Sequence, residues 1–322
     1  MNQQESLSSS WNQYWQGTGS AGAFTAGGVD HPAITEFWNA FFLSAQRLNN
    51  PVRLVDVATG NGAVVEAALQ VLADESPTIT CVDISDAAIE NIKKRFENVT
   101  GIVADAANMP LNDQQFDIVS SQFGVEYAGT NAIYEAARLV RAKGKLTLLM
   151  HIAGGSVHQE CADSLAAVQG TLDCNFVPLA IDLFNNGFAA VRGADRAPYD
   201  AAGSKFTPAV VAVEKIMDKF GDNVASGSIA RLYDDVARIH SRLPNYDPNE
   251  VLSWLGVMEQ ELPAYARRMA SMIATATDKA SIELICRHLR DDGFDINRAE
   301  PLQPDTERLP LAWAIVATRR EE

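Results

Sequence analysis

The chain has 322 residues, 47% of them hydrophobic and 21% charged, and its 26 basic and 41 acidic side chains give a formal net charge of −15. That composition describes a globular protein of one large or two smaller domains with ample apolar surface to bury, and needing no disulfide or metal staple. The acidic excess repels nucleic-acid phosphates and anionic membranes, and there is no run of five Lys/Arg to offset it, so neither is an expected partner.

Residues 1–28 are polar and small, yet carry Trp11, Tyr14, Trp15 and Phe24, which points to a short helix followed by a loop. This start has no basic or apolar signal region, and no stretch approaches the ~18 apolar residues of a membrane span, so a cytoplasmic location is expected. Ile34, Phe37, Trp38, Phe41 and Phe42 recur at helical spacing between Pro32 and Leu48.

The period then changes. Arg53–Val57 reads as a strand, 63–73 as a helix, Thr78–Ile84 as a strand and 85–96 as a helix. Gly101–Ala104 and Phe116–Ser121 read as strands, Asn131–Val140 as a helix and Lys145–Met150 as a strand. Strands alternating with helices through short connections indicate a parallel sheet covered on both faces.

After His151 the pattern is helical for about 125 residues. Val210, Val213, Met217 and Phe220 form one apolar stripe, Ile229 to Leu243 a second and Leu252 to Met272 a third. Thr207 before Pro208 and Asp247 before Pro248 read as helix starts, and Pro263 as a kink or break. Residues 278–290 are helical and Leu309–Thr318 returns to strand. Residues 152–277 therefore read as a helical insertion or lid after the fifth strand, in an α/β domain completed by the C-terminus. The apolar stripes equally suit a homodimer.

Asp56-Val-Ala-Thr-Gly60-Asn-Gly62 follows the first strand directly. A strand, a glycine turn and a helix N-terminus bring backbone close to a ligand at the carboxyl edge of a doubly wound sheet. A dinucleotide fingerprint requires a third glycine where Val65 stands. Asp56 would also repel a pyrophosphate, but suits a ligand bearing an ammonium and a sulfonium; an NAD-dependent dehydrogenase is thereby disfavoured. Asp83 closes the next strand, where a carboxylate accepts ribose hydroxyls, and Asp105 follows the third. Three acids at three successive strand ends converge on one edge.

The segments DVATGNG, CVDIS, VADAANMPLNDQQFDIVSSQFGVEY and LVRAKGKLTLLMH, within about residues 50–151, resemble the core of class I S-adenosylmethionine-dependent methyltransferases, in particular the ubiquinone/menaquinone C-methyltransferase group. The resemblance implies a Rossmann-like, mainly parallel seven-stranded sheet and S-adenosylmethionine as cofactor. It divides the chain into an N-terminal cap (1–49), a cofactor core (50–151), the insertion (152–277) and a completing C-terminal part (278–322). It implies that Ala58, Gly60 and Gly62 line the methionine end, Asp83 the ribose, Ile84 the adenine face, and Asp105 with Ala106 the adenine amino group. Backbone near Gln122 and Phe123 would meet the methionine part. Ala58 stands where the family commonly has a glycine, and the insertion is absent from the quinone enzymes, so their substrate does not carry over.

Methyl transfer from a sulfonium is an in-line displacement, dominated by positioning and water exclusion, and an oxygen or carbon acceptor also needs a base. Glu126, Tyr127 and His151, at the ends of the fourth and fifth strands, are the candidates; His151 and Glu126 are equally readable as loop-shaping or capping residues. Trp15, with Trp11 and Tyr14, suits a sulfonium through cation–π attraction. The Asn/Asp-Pro-Pro-aromatic motif of amino methylases and the Pro-Cys of cytosine-C5 enzymes are absent, leaving a small-molecule acceptor. The widely spaced Cys81, Cys161, Cys174 and Cys286 and the scattered histidines predict no metal. A different class of reading is a non-catalytic cofactor-binding scaffold or sensor.

Overall fold

In the computed structural model, residues 11, 12, 15, 31–45, 51–304 and 309–321 are described. Four apolar runs build a parallel ladder: β1 (Arg53–Val57) pairs with β2 (Thr78–Asp83) and β4 (Phe116–Gln122), and β2 pairs with β3 (Val99–Val103). Strand β5 (Val140–Met150) adds in parallel to β4, and β6 (Phe294–Leu302) and β7 (Ala312–Arg319) complete a seven-stranded sheet of order β3-β2-β1-β4-β5-β7-β6. Strand β7 runs antiparallel to both β5 and β6. The order reverses between β1 and β4, and such a switch point opens a crevice at the carboxyl ends of the strands.

Both faces of this sheet are covered, which explains why β1, β2, β4 and β7 are buried along most of their length instead of on alternate residues. One face packs with α1 (Pro32–Ala45), α2 (Ala63–Val71) and α3 (Asp86–Arg95), through Trp38, Phe42, Leu54 and Ile92. The other packs with α4 (Thr130–Arg138) and α10 (Lys279–Asp291), through Ile133, Leu146, Leu289 and Phe294. Ser85 caps α3, its hydroxyl accepting from the Ala88 N–H (3.2 Å), and Asp278 caps α10, accepting from Ser281 N–H (2.8 Å).

The chain divides into two compact units, residues 1–158 with 274–322, and residues 159–273. The second has its own core of helices: α5 (Ser156–Asp173), α6 (Phe176–Val191), α7 (Ala197–Phe220), α8 (Ser228–Ser241) and α9 (Pro248–Thr275). Phe176, Phe184, Ile229 and Leu255 are fully buried there, and the Phe176 and Phe206 rings lie 5.0 Å apart.

Three local expectations change. Thr207–Pro208 does not begin a helix; it lies inside α7, where the Thr207 hydroxyl donates to the Gly203 carbonyl (3.0 Å) one turn back. Of the kink or break expected at Pro263, the break does not occur: α9 runs on to Thr275 around buried Leu255, Leu262 and Met269. Tertiary packing overrides propensity at both prolines. Strand β6 had no sequence signal, because FDINRAEPL mixes charge and proline at a sheet edge. Asp247 does start its helix, its Oδ1 accepting from Asn249 N–H (2.8 Å). Among the described residues no helix is long and apolar enough to cross a membrane.

Candidate functional site

The glycine turn is built from left-handed backbone. Ala58 (φ 53°), Gly60 (φ 51°) and Gly62 (φ 80°) follow β1 in quick succession, a run that ordinary side chains resist. A Cβ on Gly60 would stand 2.6 Å from Trp15 Cζ2, so the indole lies directly on the turn. A Cβ on Gly124, just after β4, would stand 2.5 Å from the Ala58 Cβ and 2.9 Å from its carbonyl oxygen. The loops after β1 and β4 therefore touch backbone to backbone, as a cradle at the switch point requires.

The three acids take different places. Asp83 closes β2 and lines a cavity of about 540 Å³, its Oδ2 accepting from Gly60 N–H and its Oδ1 from Ser85 N–H, each 2.9 Å. Burial raises its pKa, opposed by these hydrogen bonds and by one from Ile84. Asp105 is also on the wall, held in a turn by Ala107 N–H to its Oδ1 (2.9 Å). Asp56 stands behind the turn instead, only 1% exposed, with Thr59 Oγ1 donating to Oδ2 (2.7 Å) and Ser120 Oγ to Oδ1 (2.8 Å). Burial, reinforced by the Asp83 charge and opposed by the two hydroxyls, pushes its carboxyl up to about 7.

Aromatic rings form much of the remaining wall: Trp11, Trp15, Phe123 and Tyr127. Trp11 stacks on Trp15 with centroids 6.4 Å apart and meets Tyr127 edge-on at 5.3 Å. Trp11, Asn12 and Trp15 are helical and are tied to α3: Ser85 Oγ donates to Asn12 Oδ1, and Asn91 Nδ2 donates to the Trp15 carbonyl (2.9 Å). Tyr14 and Phe24 lie outside the described residues. Ile84 and Ala106 complete the apolar surface beside Asp83 and Asp105.

Glu126 and His151 come together although 25 residues apart. Glu126 lies in a 3-10 turn after β4, and His151 follows β5. Glu126 Oε1 accepts from the His151 backbone N–H (2.9 Å) and stands 2.7 Å from its Nδ1, with both side chains almost wholly buried. The imidazole is tilted against Phe123 at 4.6 Å and edge-on to Tyr127 at 5.8 Å, so it backs two rings of the cavity wall. Glu126 Oε2 has no hydrogen-bond partner among the described residues, a costly state for a buried carboxylate oxygen. Gln122 turns away, its Oε1 accepting from the Trp38 indole N–H, while Phe123, in left-handed backbone (φ 52°), faces the cavity.

Of the residues singled out in the sequence, Ala58, Asp83, Ile84, Asp105, Ala106, Phe123, Tyr127 and Trp15 thus line one cavity. Gly60 and Gly62 belong to the turn beside the cavity but do not line it, Gly60 packing under Trp15 and Gly62 against Ile92 and Phe96; Asp56, Glu126 and His151 lie behind the wall. Sequence reasoning missed Thr59 and Ser120, which hold Asp56, and Gly124, whose signal was a glycine three residues after the expected strand end. The fit to S-adenosylmethionine is physical: the volume falls in the range of small-molecule sites, carboxylates and aromatic faces both suit a cation, and the cradle leaves no room for a Cβ at Gly124. No group of three metal-ligating side chains occurs among the described residues.

A methyltransferase domain model matches residues 55–148. Among curated relatives, the chain is 28% identical over 156 residues to an uncharacterized methyltransferase of Schizosaccharomyces pombe, covering 48% of this chain and 59% of the relative. It is 33% identical over 104 residues to the demethylmenaquinone methyltransferase of Thermotoga maritima, covering 31% and 44%. To the ubiquinone/menaquinone biosynthesis C-methyltransferase of Rickettsia prowazekii it is 29% identical over 119 residues, covering 34% and 47%. The chain thus spans about half the length of the curated relatives it matches. A solved geranyl diphosphate C-methyltransferase from Streptomyces coelicolor aligns over 47% of this chain and 65% of that one, at 15% identity and a TM-score of 0.35. A likeness that low adds nothing to the sheet order described above. Residues 55–148 thus match a methyltransferase domain, and the seven-stranded sheet and left-handed glycine turn fit the Rossmann-like, S-adenosylmethionine-binding core that the sequence resembles.

Proposed function

We propose that this chain transfers a methyl group from S-adenosylmethionine to a small-molecule acceptor that gives up a proton, with His151 as the base. The cofactor, when bound, supplies an electrophilic methyl on a sulfonium. Asp83 and Asp105 would hold its adenosine end, Ala58, Gly60 and the Phe123–Gly124 backbone its methionine end, and Trp11, Trp15 and Tyr127 would keep water from the cationic region. The observation that carries the reading is the Glu126–His151 pair directly behind the Phe123 and Tyr127 rings. With Glu126 ionised, the His151 Nδ1–H donates to it, which fixes the tautomer whose Nε2 bears a lone pair. The C-methyltransferase name of the Rickettsia prowazekii relative favours a carbon acceptor, and the acidic balance disfavours nucleic acid.

The test is S-adenosylhomocysteine formation by the purified protein with fractionated metabolite extracts. Glu126→Gln retains an oxygen for the His151 N–H but removes the charge. It is expected to lower turnover 10²- to 10⁴-fold, the usual contribution of a positioned base, with S-adenosylhomocysteine affinity unchanged. Turnover unaffected by both Glu126→Gln and His151→Gln refutes the assignment of the base; no product from the wild type in any fraction refutes methyl transfer.

A further inference from the structure

The open pocket between α1 and strands β5, β6 and β7 has no part in the cofactor site. Lys145 pairs with Ile118 on β4, just past a register shift from the Phe116–Val140 pair, and with Thr318 on β7. It lies five residues, about 17 Å of strand, before Met150, at the other end of the sheet from the glycine turn. The pocket measures about 410 Å³, and its apolar floor is Phe37, Phe41 and Val316. Phe37 and Phe41 are one helical turn apart on the same side of α1.

Each ring carries a cation. Arg298 Cζ lies 5.4 Å from the Phe37 centroid, and Lys145 Nζ lies 5.7 Å from that of Phe41. Arg298 reaches this position through a β-bulge. Ile296 pairs with Ala317, but Arg298 pairs with Val316, so Asn297 is an extra residue in β6. Phe294 and Ile296 pack on the α4/α10 face, and Leu302, although of the same parity, packs on the α1 face. The bulge is what turns Arg298 towards α1; a regular strand would place it on the other face.

The charges are not compensated in kind. Lys145 Nζ donates to Ser44 Oγ (3.1 Å), and among the described residues no carboxylate pairs with it. Burial lowers its pKa without any opposing charge. Arg298 Nε lies 2.9 Å from Glu300 Oε1, but the Glu300 side chain is 64% exposed, so that pair is weak and exchangeable. Thr318 Oγ1 donates to Asn297 Oδ1 (2.7 Å), leaving the Asn297 amide hydrogens as donors at the rim. Two cations, an amide donor and an aromatic floor face one exposed carboxylate, in a chain whose net charge is −15.

We propose that this pocket is a second ligand site that takes a small organic anion with an apolar part, its charge between Lys145 and Arg298 and its apolar group on Phe37 and Phe41. The site is independent of the methyl-transfer reading. The test uses the full chain saturated with S-adenosylhomocysteine, titrated calorimetrically with phenyl phosphate, with inorganic phosphate and with benzyl alcohol. Phenyl phosphate is expected to bind saturably below millimolar concentration and at least tenfold more tightly than either of the others. Lys145→Gln and Arg298→Gln are each expected to weaken it at least tenfold, with far-UV dichroism and S-adenosylhomocysteine affinity unchanged. Absence of saturable binding, equal binding of benzyl alcohol, or phenyl phosphate affinity unmoved by both substitutions overturns the proposal.

Discussion

Asp56→Asn tests the electrostatics beneath the glycine turn. The Asp56 carboxyl is held at about 7 in the folded chain against an ordinary value of 3.8, so the folded state keeps its proton more tightly than the unfolded one. Stability must then fall as pH rises, because the native state binds the additional proton. The contribution is fully present below about pH 3.8, declines between there and about 7, and is lost above. At about 1.4 kcal/mol per pH unit the whole loss is about 4 kcal/mol. Asparagine matches the carboxyl in shape and can accept from one hydroxyl while donating to the other, so it retains Thr59 and Ser120 as partners without titrating. Urea unfolding of wild type and Asp56→Asn at pH 5, 6, 7 and 8 measures the difference directly. The wild type is expected to lose ground steadily to the variant, by about 3 kcal/mol between pH 5 and pH 8. A stability difference constant over that range refutes the reasoning, as does a 13C carboxyl resonance of Asp56 that titrates near 4.

Three further outcomes follow from the same geometry. Gly124→Ala drives a methyl into Ala58 backbone at 2.9 Å; it is expected to cost about 1–3 kcal/mol and to weaken S-adenosylmethionine binding at least tenfold, measured by melting and calorimetry. Asp83→Ala removes the acceptor of the Gly60 and Ser85 N–H groups. It also removes the acceptor of the two ribose hydroxyls that Asp83 would hold; the expected effect is a cofactor affinity reduced about 100-fold, about 1.5 kcal/mol for each of those two charged hydrogen bonds, and affinity within twofold of wild type contradicts the site. Phe184→Ala in α6 empties a fully buried position and is expected to destabilise the 159–273 unit by about 3–5 kcal/mol, read as faster amide exchange along residues 176–191.

Local structure in the first 150 residues is legible because each element states its period: Arg53–Val57 is a strand in both readings, and the helix over 85–96 is observed as Asp86–Arg95. The glycines and the three strand-end carboxylates are likewise sequence features, since a parallel strand ends where its apolar run ends, and chain order alone carries β1, β2 and β3 to one edge. Composition alone set the acidic balance and the lack of a metal-ligand pattern. The helical stripes of residues 207–275 were visible too, but not their bounds, because the prolines at 208 and 263 are tolerated by a core that no local rule describes.

The tertiary structure decided which carboxylate does what. The sequence placed Asp56 and Asp83 alike on the ligand edge of the sheet, yet one is enclosed by Thr59 and Ser120 behind the turn and the other lines the cavity. Glu126 and His151 meet only because β4 and β5 are neighbours in the sheet. Arg298 faces Phe37 only because one extra residue in β6 reverses the alternation of the strand. Periodicity is a property of neighbours along the chain and so is written in the sequence. Desolvation, pairing and the face a side chain takes depend on residues far apart in sequence, and these arise only when the sheet has closed around them.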